Sequence, residues 1–111
     1  PQIIGKGRAL EMMVTAEMTN AETALQYGLV NYVLDNKDDA MKKSTELIDI
    51  IQRKAPGAVA GVIESINNFY RGDDDGFGKE IQIFSKLCGA DDFKEGVRAF
   101  QEKRCPSFKG K

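Results

Sequence analysis

The chain has 111 residues, 41% of them hydrophobic and 30% charged, a balance that fits one globular domain or part of one and excludes a disordered tail. Its 16 Lys and Arg against 17 Asp and Glu leave a net charge of -1, so no positive excess exists to follow a nucleic-acid backbone or an anionic membrane. Histidine is absent, which removes Ser-His and Cys-His nucleophiles and most zinc sites.

In chain order, Pro1-Gln2-Ile3-Ile4-Gly5 opens in an apolar stretch without an initiator Met and reads as the interior of a larger domain. Ala9, Leu10, Met12 and Met13 recur at helical spacing behind Gly5-Lys6-Gly7-Arg8 and predict a short helix with its exit at Thr15 to Thr19. Asn20, with Thr23 three residues on and Glu22 in the first turn, is placed to cap a second helix through Ala21, Ala24, Leu25 and Tyr27. Gly28 is its expected left-handed stop. Leu29-Val30-Asn31-Tyr32-Val33-Leu34, β-branched and aromatic between Gly28 and Asp35-Asn36, reads as a strand. A lone strand cannot pair its own backbone groups, so its partners are expected outside this sequence.

From Asp38 the pattern turns helical, with Ala40, Met41, Leu47, Ile48, Ile50 and Ile51 on one face, aspartates at the start and Arg53 and Lys54 at the end. Ala55-Pro56 breaks it and opens a helix carrying Val59, Val62, Ile63, Ile66, Phe69 and Tyr70, which ends at Arg71-Gly72. Asp73-Asp74-Asp75-Gly76 invites comparison with a calcium loop, but its aspartates are adjacent where such loops use alternate residues, so a solvated turn plus helix cap is expected. A helix from about Phe77 through Ile81, Ile83, Phe84 and Leu87 to Cys88 is closed by Gly89, and Asp91-Asp92 open a last one with Phe93, Val97 and Phe100 on its apolar face. Pro106 is expected to end the regular structure, leaving a short basic tail. The fold class is therefore mainly α, about six helices and one short strand.

Little in this pattern announces chemistry. Glu11, Glu17, Glu22, Glu46, Glu64 and Glu95 each sit among polar helical residues and read as solvated. Gly5-Lys6-Gly7-Arg8 lacks the closing Gly-Lys-Ser/Thr of a phosphate loop. Met12, Met13, Met18 and Met41 read as core filler, and Cys88 and Cys105 as reduced thiols. No apolar run approaches the roughly 20 residues of a membrane span, and no signal-peptide pattern opens the chain, so a cytoplasmic location is expected. Phe100 and Lys103, three apart, are expected on one helical face; core packing for the ring and a snorkelling surface role for the lysine stand beside any ligand role.

Two stretches carry a resemblance. Ile4-Gly5-Lys6-Gly7-Arg8-Ala9-Leu10-Glu11-Met12-Met13, followed by Ala21-Glu22 and Gly28-Leu29-Val30-Asn31, resembles the enoyl-CoA hydratase (crotonase) family. The run from Asp91 to Arg104, with Pro106 and Phe108-Lys109-Gly110, is similar to that family's C-terminal signature in order and spacing. The resemblance covers essentially the whole chain and corresponds to about the last two-fifths of a family member of roughly 250 residues.

The resemblance implies the C-terminal part of a crotonase-type α/β spiral fold, with residues 1–35 ending its core and 36–111 forming a helical oligomerisation region. It implies a parent that hydrates trans-2-enoyl-CoA to 3-hydroxyacyl-CoA in fatty acid metabolism, without metal or redox cofactor, coenzyme A being part of the substrate. The parent would be a homo-oligomer, a trimer or a dimer of trimers. Both family glutamates and both oxyanion N–H donors match positions upstream of Pro1, so no catalytic residue is expected in this chain. By match of position, Phe100 and Lys103 would approach the adenine and phosphates of a coenzyme A bound mainly to a neighbouring subunit. Phe84 and Leu87 would line the acyl or pantetheine channel. Isomerases, dehalogenases and decarboxylases of the family share this tail, so the reaction and the acyl-chain length stay open. The reading from a different class is an autonomous helical assembly module without a ligand site.

Overall fold

Residues 1–71 and 75–111 are described by the computed structural model. Among them lie six helices, α1 (Lys6–Thr15), α2 (Ala21–Gln26), α3 (Lys37–Gln52), α4 (Pro56–Tyr70), α5 (Gly76–Cys88) and α6 (Asp91–Gln101), and no strand. The chain divides into two compact units, Pro1–Thr45 and Glu46–Lys111.

In the first unit, the caps expected from the sequence form. The Thr23 N–H donates to Asn20 Oδ1 at 2.8 Å and starts α2. The helix ends with Gly28 at φ 73°, the Leu29 N–H reaching the Ala24 carbonyl at 2.9 Å and the Gly28 N–H reaching Leu25 at 3.0 Å. That is a Schellman turn, and it satisfies carbonyls that the helix leaves open. The Arg8 guanidinium carbon lies 4.4 Å from the centroid of the Tyr27 ring and ties α1 to the end of α2.

Residues 29–34 correct the expectation of a strand: they run as irregular chain. A ladder needs a second extended segment, and among the described residues there is none to supply one. β-propensity reports a fit to a pleated, half-buried surface, which this segment lacks. Asn36, unnoticed in the sequence, caps α3: its Oδ1 accepts the Asp39 N–H at 2.9 Å, and its Nδ2 donates to Asp39 Oδ2 at 2.7 Å.

The second unit holds α4 to α6. Pro56 opens α4 from an extended Ala55 (φ -61°, ψ 121°), as the residue before proline prefers. Its packed face is not the apolar one. Val62, Ile63, Ile66, Phe69 and Tyr70 are all more than half exposed, while Gly57 and Gly61, four apart, lie against Leu87 of α5. Asp75 caps α5, its Oδ1 accepting the Gly78 N–H at 2.8 Å; Asp73 and Asp74 lie outside the described residues. Gly89 closes α5 in the right-handed region, φ -77°, not the left-handed one.

Among the described residues the buried apolar side chains are those of Ala9, Ala24 and Ala99, and no large side chain is fully buried. Three of the four methionines are not core filler within this chain: Met13, Met18 and Met41 are exposed, while Met12 is half-buried. Both thiols, Cys88 and Cys105, are free.

Candidate functional site

A concavity of about 460 Å³ lies in the second unit, walled by Gly57 of α4, Leu87 of α5, Phe93, Val97 and Phe100 of α6, and Phe108 of the tail. Its lining is almost wholly apolar. Phe100 is 85% exposed, so its ring does not pack into a core within this chain. Leu87 also borders a second groove, between α4 and α5, where it is joined by Phe84 and Gly61.

Lys103 departs from its expected place. Helix α6 ends at Gln101, well before Pro106, and Lys103 follows it at φ 53°. The Arg104 N–H donates to the Ala99 carbonyl at 3.0 Å and the Lys103 N–H to Phe100 at 3.3 Å, so Lys103 occupies the left-handed position of a Schellman turn where glycine is usual. The two residues therefore do not share a helical face: Phe100 stands in the last turn and borders the concavity, and Lys103 lies beyond the cap, exposed and outside the concavity wall.

The residues the sequence concealed are Asp92 and Glu95. Asp92 is buried, and its Oδ1 accepts the Lys109 N–H at 2.7 Å while Oδ2 accepts that of Gly110 at 2.8 Å. Glu95 is the one glutamate of the six candidates that is not exposed. It meets Arg104 through both oxygens, at 2.7 and 2.9 Å, and its Oε1 also accepts the Ser107 N–H at 2.8 Å. No sequence signal marked the pair, because Arg104 reaches back to Glu95 only once the helix has ended at Gln101.

The hydrogen bonds from Arg104 first, then from the Ser107 N–H, hold the Glu95 carboxyl down at about 2, from 4.5. Arg104 is pushed upward by Glu95 and Glu102. A carboxyl lowered on folding stabilises fully above its unfolded value and ceases to as the pH falls through the folded one. The Glu95 clasp is thus expected to be intact above about pH 4.5 and lost towards pH 2. Exchange of the Ser107 amide, read by NMR against pH and corrected for intrinsic rates, should show protection falling only in that window. Protection that already fails near neutral pH would contradict it.

Among the described residues, no group of three or more His, Cys, Asp or Glu side chains is placed to hold a metal ion, and no helix is long and apolar enough to cross a membrane. The model of the enoyl-CoA hydratase/isomerase family matches residues 1–111. The chain belongs to this family. Members similar to it include a trans-2-decenoyl-[acyl-carrier-protein] isomerase of Streptococcus mutans, 34% identical over 97% of this chain and 41% of that protein. An enoyl-CoA hydratase of Mycobacterium tuberculosis is 34% identical over 93% of this chain and 39% of its own length. The crystal structure of an enoyl-CoA hydratase from Bacillus anthracis superposes with a TM-score of 0.93 at 35% identity, covering 100% of this chain and 43% of that one. The chain thus spans about two-fifths of the length of the curated family members it matches.

Proposed function

We propose that this chain works as the C-terminal part of an enoyl-CoA hydratase family enzyme, contributing assembly surface and one side of a coenzyme A site. The observation that carries this reading is a match along the whole chain that covers only about two-fifths of each relative. The exposed apolar faces of α3, α4 and α5 agree with it, since a stretch whose buried apolar side chains, among the described residues, are all alanines would have its packing partners elsewhere. The enzyme would hydrate trans-2-enoyl-CoA to 3-hydroxyacyl-CoA in fatty acid metabolism, in the cytoplasm, as a homotrimer or dimer of trimers, with coenzyme A entering as part of the substrate and no separate cofactor. The second reading, the tail of a double-bond isomerase, draws support from the 34% identity to the Streptococcus mutans protein.

In this proposal the exposed Phe100 ring stacks on adenine and the Lys103 ammonium meets a phosphate. A contact remote from the thioester helps ground state and transition state alike. Lys103→Ala in the assembled enzyme should therefore raise KM for crotonyl-CoA several-fold with little change in kcat. The rise should shrink as salt increases. The left-handed backbone supplies a control. Lys103→Gly removes the same charge but relieves a conformation that costs an L-residue about 1 kcal/mol, so it should raise KM equally while raising the melting temperature. Unchanged affinity for coenzyme A at low salt in both variants would reduce Lys103 to a capping residue.

A further inference from the structure

The tail after α6 has neither helix nor strand, yet it is fastened to α6 at both ends of a short span. Glu95 accepts the Ser107 N–H at 2.8 Å and Asp92 accepts those of Lys109 and Gly110 at 2.7 and 2.8 Å. The Asp92 N–H in turn donates to the Lys111 carbonyl at 3.0 Å. Asp92 and Glu95 are three apart and share one face of α6, so the clipped residues bracket Phe108. Opposite that ring stands Gly96, where a Cβ would lie 3.6 Å from Phe108 Cε1. Gly96 and Phe100 are four apart on the same helix, and Phe108 and Phe100 both wall the apolar concavity. Ionised carboxylates are strong, acceptor-only partners for backbone N–H groups.

We infer that Asp92 and Glu95 are positioning residues that strap the tail to α6 and hold Phe108 as a fixed wall of the Phe100 concavity. Each acts through the tail: Asp92 also borders the concavity, but both of its oxygens are taken by tail N–H groups, and Glu95 lies outside the lining. The inference rests on the reading of that concavity as part of a coenzyme A site, and the experiment separates the two.

In Asp92→Asn, one carboxylate oxygen becomes an NH₂ donor facing an N–H donor, so one of its two bonds is lost and a repulsion replaces it. Glu95→Gln deprives Arg104 of its two-pronged partner. Hydrogen exchange on the full chain should show the amides of Ser107, Lys109 and Gly110 exchanging at least tenfold faster in these variants, each most strongly at its own partners. In the assembled enzyme, KM for crotonyl-CoA should rise several-fold with kcat within about twofold, as expected for loss of uniform binding. Glu95→Asp should recover part of both effects. Phe108→Ala should reproduce the rise in KM while leaving Lys109 and Gly110 protected, because it removes the wall and spares the strap. Unchanged exchange overturns the inference, and so does faster exchange with KM unmoved. If the assembled wild type binds no coenzyme A, the functional reading fails by itself; the strap is then upheld by faster exchange in both carboxylate variants and overturned by its absence.

Discussion

Gly61→Phe is expected to destabilise the packing of α4 on α5 by about 1–3 kcal/mol, the usual cost of forcing an oversized side chain into an occupied site. A Cβ built at Gly61 would already lie 2.8 Å from Leu87 Cδ1 and 3.0 Å from Ile83 Cγ2. Gly61→Ala should behave differently. The atoms it meets are the far ends of side chains that can rotate, and replacing a mid-helix glycine by alanine stabilises by about 1 kcal/mol. The two effects nearly cancel, so the alanine variant should stay close to the wild type in a urea titration of helical circular dichroism. A full ring cannot be accommodated by rotating Leu87 alone. Equal midpoints for the glycine, alanine and phenylalanine forms would show that α4 and α5 do not meet at Gly61.

The same residue marks how far the sequence was legible. Local signals read correctly at the Asn20 cap, the left-handed Gly28, Pro56 at the first turn of α4 and Asp75 at the start of α5, where one residue's chemistry decides the outcome. They failed where a partner decides. Leu29 to Leu34 has strand composition without a ladder, and α4, whose apolar residues Val62, Ile63 and Ile66 marked it in the sequence, packs through Gly57 and Gly61, which the sequence reading passed over. A periodicity rule sees apolar side chains and overlooks a glycine face that admits another helix. At the candidate site, Phe100 was visible through the family resemblance, and its exposure at a concavity wall agrees with a role other than core packing. The relation of Lys103 to it was misjudged because nothing before Pro106 looks like a helix stop. The stop is a left-handed lysine, which composition does not reveal. Asp92 and Glu95 were hidden because a carboxylate in the first turns of a helix already has an explanation in the helix dipole or in solvent.

The largest expected effect is the absence of turnover by these 111 residues alone. A hydratase must stabilise an enolate oxygen and move protons to and from water and carbon. Preorganised oxyanion donors contribute about 3 kcal/mol each, and positioned acid-base groups about 10²–10⁴-fold. The family resemblance assigns both kinds of group to positions outside this chain. Nothing within the described residues is ready to replace them. Glu95, held at about 2 with both oxygens engaged by Arg104, remains a carboxylate whose basicity is far too low for a proton acceptor working near neutrality. Asp92, on the wall of the concavity, has each oxygen taken by a backbone N–H. Glu11, Glu17, Glu22, Glu46 and Glu64 are exposed to solvent. If the two donors and the acid-base pair lie outside the chain, as the resemblance implies, the rate should lie about 10⁶-fold or more below that of an assembled family enzyme. The measurement is loss of crotonyl-CoA absorbance with purified chain, alongside a relative of full length. Turnover above the uncatalysed rate that follows the protein through repurification would mean that the acid and base reside in these residues, and it would overturn the assignment of this chain to a supporting role.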